Sequence, residues 1–258
     1  MKEFDRLMEI IEKLRDPQKG CPWDVKQTHE SLIPNFIEEL YESIEAIEKK
    51  DFEHLSEELG DLMLHIIMQV QMAKEEKKFV MDDVLKKIND KLIRRHPHVF
   101  GDGEAKDANG VKMNWERIKF EEKKQSRTSA IDGIPRAMPA LIIAQRMQEK
   151  AASVGFDWPD VQPAIEKLKE ETKEFDEAFE ENNILQMQDE LGDMLFSIVN
   201  IARKLGFDTE SALKKTINKF EIRFKKVEEH YRKNNHNMLD ASLEQLDEIW
   251  EIAKKDEH

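Results

Sequence analysis

Glu38-Glu39-Leu40-Tyr41-Glu42, followed by Glu58-Leu59-Gly60-Asp61, recurs later in the chain as Glu170-Glu171-Thr172-Lys173-Glu174 followed by Glu190-Leu191-Gly192-Asp193. Every matched pair is offset by 132: 39 with 171, 42 with 174, 58 with 190, 61 with 193. Further matches extend outward. Lys91 and Arg95 correspond to Lys219 and Arg223 at an offset of 128. Trp115-Glu116-Arg117-Ile118-Lys119 corresponds to Trp250-Glu251-Ile252-Ala253-Lys254, and Trp23 to Trp158, each at 135. Self-similarity of this kind is read before anything else, and it predicts two copies of one domain.

The stretch Gln125 to Pro135 is polar, holds Gly133 and Pro135, and breaks the helical pattern. The expected organisation is a first helical domain over 1–125, a linker over 126–136 and a second helical domain over 137–258. A Gly-rich insert, Phe100-Gly101-Asp102-Gly103 through Asn109-Gly110, interrupts the first half only.

Within each copy the periodicity is helical. Phe36, Leu40, Ile44 and Ile47 form one apolar stripe, and Leu55, Leu59, Leu62 and Ile66 form another. Asp51 and Asn183 are the expected N-caps of the second helix of each pair. Later helices are expected near 81–95 and 208–232, with shorter ones over the Trp115 and Trp250 motifs. The fold class that follows is all-α, as two tandem bundles of four or five helices.

Composition agrees and excludes much else. The 258 residues include 9 Gly and 8 Pro, too little punctuation for a sandwich or barrel of short strands. Apolar residues make up 39% and charged residues 37%. No apolar run is long enough to span a bilayer. The start, Met1-Lys2-Glu3-Phe4-Asp5, lacks the apolar core of a signal peptide. Cys21 is the single cysteine, so no internal disulfide forms and a reducing cytoplasm is expected. A net charge of −14 argues against nucleic acid as a partner. It also repels an anionic substrate, which would need metal cations or a local basic cluster.

Glu39 and Glu42 are three apart and share a helix face, as do Glu58 and Asp61 on the following helix. A short connection makes these helices antiparallel neighbours, so the pairs converge. Four carboxylates at close range take up protons unless a cation lies among them. Oxygen-only ligands favour Mg²⁺, or Mn²⁺, over zinc. Glu171, Glu174, Glu190 and Asp193 repeat the set. Gly60 and Gly192 sit inside helical patterns, where Gly costs about 0.5–1 kcal/mol relative to Ala, which suggests close approach of a backbone or ligand. The alternative is a solvated acidic face, which the duplicated spacing disfavours. A di-iron carboxylate bundle needs Glu-x-x-His on each of two helices. The chain has none; Asp51-Phe52-Glu53-His54 is the nearest case.

Lys91/Arg95 and Lys219/Arg223 are i, i+4 pairs suited to phosphate oxygens or to balancing nearby acids. Lys167 and Lys169 precede the second acidic block, where the first copy has Asn35 and Ile37. The second site is therefore the better candidate for a triphosphate. Trp115 and Trp250 either stack on a base or pack in a core. Trp23 and Cys21 read as packing or turn elements, His65 as a core or supporting histidine, and His96-Pro97-His98 as a helix terminator.

Taken together, Gly20-Cys21-Pro22-Trp23-Asp24 with Gln27-Thr28-His29, the two E-E-x-x-E/E-x-x-D sets and the two W-E-x-x-K endings resemble the MazG family of nucleoside triphosphate pyrophosphohydrolases. The resemblance covers essentially the whole chain, in the tandem-domain form. It implies an all-α, Mg²⁺-dependent homodimer that cleaves NTPs or dNTPs between the α and β phosphates, clearing surplus or abnormal nucleotides. It makes Glu39, Glu42, Glu58 and Asp61 metal ligands of a first site, and Glu171, Glu174, Glu190 and Asp193 those of a second. It ties activity to the second site, with Lys167, Lys219 and Arg223 on phosphates and Trp250 facing the base. Asn35 in place of Lys167 favours a weaker first site. Glu38 and Glu170 are the candidates for the base that takes a proton from the attacking water. The competing readings are a nucleotide sensor without turnover and a helical adaptor.

Overall fold

A computed structural model describes residues 2–101 and 128–255, with 111, 115, 118, 119 and 122 between them. Among these residues every regular element is helical. Two compact units result, Met1–Glu104 and Ala105–His258. That division falls at the Gly-rich insert. The described part of the 126–136 stretch lies against the second unit, where Lys150 Nζ donates to the carbonyls of Ala130 and Asp132. Trp115 and Lys119 are on the same side of the division.

The first unit contains α1 (Lys2–Leu14), α2 (Pro22–Lys26), α3 (Ile33–Lys49), α4 (Phe52–Glu75), α5 (Met81–Arg95) and α6 (Pro97–Phe100). α3 packs against α4, and α1 lies on α4. The core cluster is Ile11, Leu32, Ile67, Met68, Val70, Met72 and Met81. Arg15, 9% exposed, ties α1 to the end of α4 through Glu75 and donates to the Asp24 carbonyl. His96 ends α5, its Nδ1 2.7 Å from the Leu92 carbonyl, and Pro97 opens α6.

The second unit contains α7 (Ala140–Ser153), α8 (Gln162–Glu180), α9 (Ile184–Leu205), α10 (Thr209–Lys233), a 3₁₀ turn over Met238–Asp240 and α11 (Leu243–Lys255). α8 packs against α9, α7 lies on α9 and α10, and α10 carries α11. The pair α8–α9 repeats α3–α4.

The corner between paired helices is the same in both copies. Lys50 and Asn182, 132 apart, are left-handed at φ 57° and 52°. Asp51 N–H donates back to the Ala46 carbonyl and Asn183 N–H to that of Ala178, closing the helix end as in a Schellman motif. The next residue then caps the following helix: Asp51 Oδ1 accepts from His54 N–H at 3.1 Å, and Asn183 Oδ1 from Gln186 N–H at 3.3 Å. Both expected caps are present.

The apolar stripes behave otherwise than their periodicity predicts. Leu40, Ile47 and Leu59 are each about half exposed, and Phe52 is 77% exposed. On α3 the buried residues are Ser43 and Ala46. In the second unit Leu185, Leu191 and Leu195 are likewise exposed. Trp23, expected as a packing or turn element, is 55% exposed on the short helix α2.

Candidate functional site

The matched corners bring two acidic clusters together. In the first, Glu39 from α3 and Glu58 and Asp61 from α4 place carboxylate oxygens within 4.8 Å of one another. In the second, Glu171 and Glu174 from α8 and Glu190 from α9 do the same. Spacing of three on each helix supplies the shared faces, and the antiparallel packing makes them meet. The fourth acid of each set lies near. Glu42 adds its charge to the field at Glu39, and Asp193 lines a cavity beside Glu171.

The field within each cluster is repulsive. Burial, with the charges of Asp61 and Glu42 and a shared hydrogen bond with Glu58, pushes the Glu39 carboxyl up to about 7. Glu58 is 5% exposed, and its Oε2 is buried without a hydrogen-bond partner. Glu174 is also pushed upward, first by burial and then by Glu171 and Glu190, with Lys167 opposing. A buried carboxylate oxygen without a partner is costly. These donor sets hold carboxylates only, the chemistry that fits a hard divalent cation.

Their surroundings differ. In the first cluster His54 Nε2 lies 2.7 Å from Glu58 Oε1, and His65 Nε2 lies 3.8 Å from Glu39 Oε1. His65 is buried, which lowers its pKa against the pull of Asp61. At the same offset the second cluster has Gln186 and Ser197. There Lys167 Nζ bridges Glu170 and Glu171 at 2.8 and 2.7 Å, and these contacts raise its pKa. The first copy has Asn35 at that place.

The second cluster opens on a cavity of about 670 Å³. Lys167, Glu171 and Asp193 are part of its wall, as are Phe156, Trp158 and Phe196. Lys219, Arg223 and Trp250 are not. They gather on α10 and α11. The Trp250 ring centre is 5.1 Å from that of Phe220, and the Arg223 guanidinium lies over the indole at 5.8 Å. In the first unit Lys91 is half-buried on α5 and Arg95 is buried at 8%. Lys119 Nζ sits 5.2 Å from the centre of the Trp115 ring, while Glu116 and Arg117 lie outside the described residues. Gly60 and Gly192 meet no atom within 4 Å of where a Cβ would stand. The close approach expected of them is therefore not made within the subunit. Glu38 and Glu170 are exposed beside their clusters.

The motif reading missed the cavity. The signal was present in apolar positions. An offset of 132 pairs Leu32 with Ala164, Met68 with Asn200 and Val70 with Ala202. Aligning Glu12-Lys13 with Glu149-Lys150 pairs Ile11 with Gln148. Each change removes apolar volume or introduces an amide.

Comparison with known proteins places the chain. A family model described as the MazG nucleotide pyrophosphohydrolase domain matches residues 27–100 and 161–228. The nucleoside triphosphate pyrophosphohydrolase/pyrophosphatase MazG of Thermotoga maritima is 48% identical over 251 residues, covering 97% of this chain and 95% of that protein. The nucleoside triphosphate pyrophosphohydrolase of Escherichia coli K12 is 43% identical over 262 residues, covering 100% and 99%. The uncharacterized protein YabN of Bacillus subtilis is 46% identical over 99% of this chain, which matches 52% of YabN. The chain belongs to the MazG family.

Proposed function

We propose that this member of the MazG family binds and cleaves its substrate at the second acidic cluster, with Mg²⁺ held by Glu171, Glu174, Glu190 and Asp193. The chain is a nucleoside triphosphate pyrophosphohydrolase, releasing a nucleoside monophosphate and pyrophosphate. Its likeness to enzymes of that name over nearly their whole length supports this. The observation that carries the choice of site is the second cluster itself, with Lys167 at its edge and a 670 Å³ cavity beside it.

Bound there, Mg²⁺ (or Mn²⁺) supplies charge neutralisation and polarises the phosphoryl group. The residues of the chain do the rest. Lys167 leaves its carboxylate partners for phosphate oxygens, a point charge for the anionic substrate. Glu170, exposed next to Glu171, takes the proton of the attacking water. Lys219 and Arg223 stabilise the departing pyrophosphate. They stand on α10, outside the cavity wall. Trp250 backs the Arg223 guanidinium. In the first unit Glu39, Glu42, Glu58 and Asp61 hold a metal without strong turnover. Glu38 stands where Glu170 does, and Lys91 and Arg95 on α5 take the places of Lys219 and Arg223, while Trp115 lies beyond this unit.

A homodimer also accounts for the exposed faces of α3, α4 and α9, which an isolated subunit leaves in water. Light scattering at micromolar protein should give twice 30.4 kDa; a monomer would overturn the homodimer. Nucleic acid and membrane are not partners in this reading. No helix among the described residues is long and apolar enough to cross a membrane. The single Cys21 suits a cytoplasmic enzyme that clears nucleotides.

The test is product identification. The protein would be mixed with each NTP, including ATP, each dNTP and Mg²⁺, and the products separated by anion exchange. Monophosphate plus pyrophosphate is expected. Diphosphate plus phosphate would overturn the cleavage position, and loss of nothing on chelation would overturn the metal.

A further inference from the structure

The second unit draws part of its cavity wall from chain that lies outside its helices. Ile131, in the stretch ahead of α7, lines the cavity together with Met147, Gln148 and Ala151 of that helix. Ile131 is 41% exposed, so apolar burial alone holds it weakly.

The stretch is shaped by its own side chains. Asp132 Oδ2 accepts from the N–H groups of Thr128 and Ser129, each at 2.9 Å, and from the Thr128 hydroxyl at 3.3 Å. Asp132 N–H donates to the Ser129 carbonyl at 3.2 Å, and Gly133 follows at φ 81°. These bonds fold the stretch on itself, and none of them reaches the helices.

Lys150 of α7 makes that attachment. Its Nζ lies 3.1 Å from the Asp132 carbonyl and 3.4 Å from that of Ala130, the two residues that flank Ile131. Lys150 is 6% exposed. An ammonium group taken out of water is costly unless it is hydrogen-bonded, so the ammonium and the carbonyls depend on one another. In the first unit the match of Glu12-Lys13 with Glu149-Lys150 puts Lys13 at this place, and Lys13 is exposed on α1. The helical scaffold therefore does not require this lysine to be buried. Its burial goes with the stretch that covers it.

We propose that residues 128–133 form a strap that completes the substrate cavity of the second unit, and that Lys150 is the positioning residue that holds Ile131 in its wall. The inference rests on the second cluster being the site of the substrate. Ile131 brings neither charge nor hydrogen-bond donor to the reacting phosphates. Its contact is the same before and during reaction, so loss of the strap weakens binding and spares the chemical step.

Two readouts on the full chain with Mg²⁺ test this. One is hydrogen exchange over 128–133. The other is steady-state kinetics with ATP, paired with calorimetric titration of an α,β-methylene nucleoside triphosphate. Lys150→Met keeps the stem and removes the donor. It should speed exchange over the strap, raise KM and the Kd of the analogue by about tenfold, the scale of one charge-assisted hydrogen bond, and leave kcat close to wild type. Lys150→Arg should restore both readouts. Ile131→Ser keeps the backbone carbonyls that Lys150 holds, so it should raise KM and Kd severalfold while exchange stays near wild type; it carries the test if Lys150→Met does not fold. Lys13→Met in the first unit should change neither readout. Faster exchange in Lys150→Met with KM and Kd unchanged would overturn the part of the strap in the site. Unchanged exchange would overturn Lys150 as its holder, and a fall in kcat at unchanged KM would overturn the positioning role. A wild-type protein that binds the analogue, loses affinity on Ile131→Ser and yet releases no monophosphate from ATP leaves this inference standing and overturns the catalytic reading.

Discussion

In the first unit Ile11, Leu32, Met68 and Val70 are packed together, between 0 and 6% exposed. In the second, their counterparts are Gln148, Ala164, Asn200 and Ala202, and a cavity stands beside the acidic cluster. The corners, caps and converging acids are shared. What separates the units is side-chain volume behind the acids and the charge at their edge. Both units keep the converging acids, while among the described residues the cavity stands beside the second cluster.

The sharpest break of this comparison is in turnover. Glu171→Ala with Glu174→Ala should lower kcat on the order of a hundred- to a thousandfold, the cost of losing groups that stabilise developing charge. Glu39→Ala with Glu42→Ala should leave steady-state turnover close to wild type. Equal losses from the two pairs would show that the first cluster takes part in the reaction. Next, Lys167→Met should cost about ten- to a hundredfold in kcat/KM, as expected for one charge-assisted hydrogen bond of about 1.5–3 kcal/mol. Asn35→Lys should leave the rate unchanged, because the first unit has a packed core in place of the cavity.

Stability should show the reverse asymmetry. Ile11→Ala should cost about 2–5 kcal/mol in urea unfolding, as for other large-to-small core changes. Gln148→Ala should cost about 1 kcal/mol, one hydrogen bond to the Phe196 carbonyl. Similar costs would mean the second wall is as tightly packed as the first core.

Acidity sharpens the metal assignment. The folded chain holds the Glu39 proton to about 7, above its ordinary value near 4.5. Folding then favours the protonated form, so its contribution is intact below about 4.5 and is lost as pH rises through 7. Melting in a chelator should fall between pH 5 and 8 for this reason, and Mg²⁺ should restore it at pH 8. Glu174 shifts in the same direction with Lys167 opposing. A melting temperature that rises with pH in chelator would count against the cluster as described.

The smallest effect is where the units should agree. Asp51→Ala and Asn183→Ala each remove one N-cap and should each cost about 1 kcal/mol.

The repeat made much of this legible. Asp51 and Asn183 announced their helices, and the three-residue spacing of the acids placed both clusters. Local chemistry and periodicity decide those features. The cavity was hidden because its wall includes Gln148 and Asn200, positions that look like ordinary helix residues until α7 and α9 are brought together. The stripe through Leu40 and Ile47 misled for a related reason: periodicity shows which residues share a face, not whether this subunit covers it. Lys219, Arg223 and Trp250 were expected at one site as a group. Arg223 lies over the Trp250 ring, and Lys219 stands one turn before Arg223 on α10.

The left-handed corner at Lys50 and Asn182 has a bearing on how such a chain tolerates insertion and deletion. Each residue added to or removed from a helix turns everything beyond it by about 100°. Loss of one residue between Ala178 and Asn183 would swing Glu190 and Asp193 away from Glu171 and Glu174 while leaving every acid in the sequence. The alphabet of the site would be complete and its spelling gone. Length at this corner is thus under tighter constraint than the identity of most residues around it, and indels there should be the rarest viable changes in a saturation library.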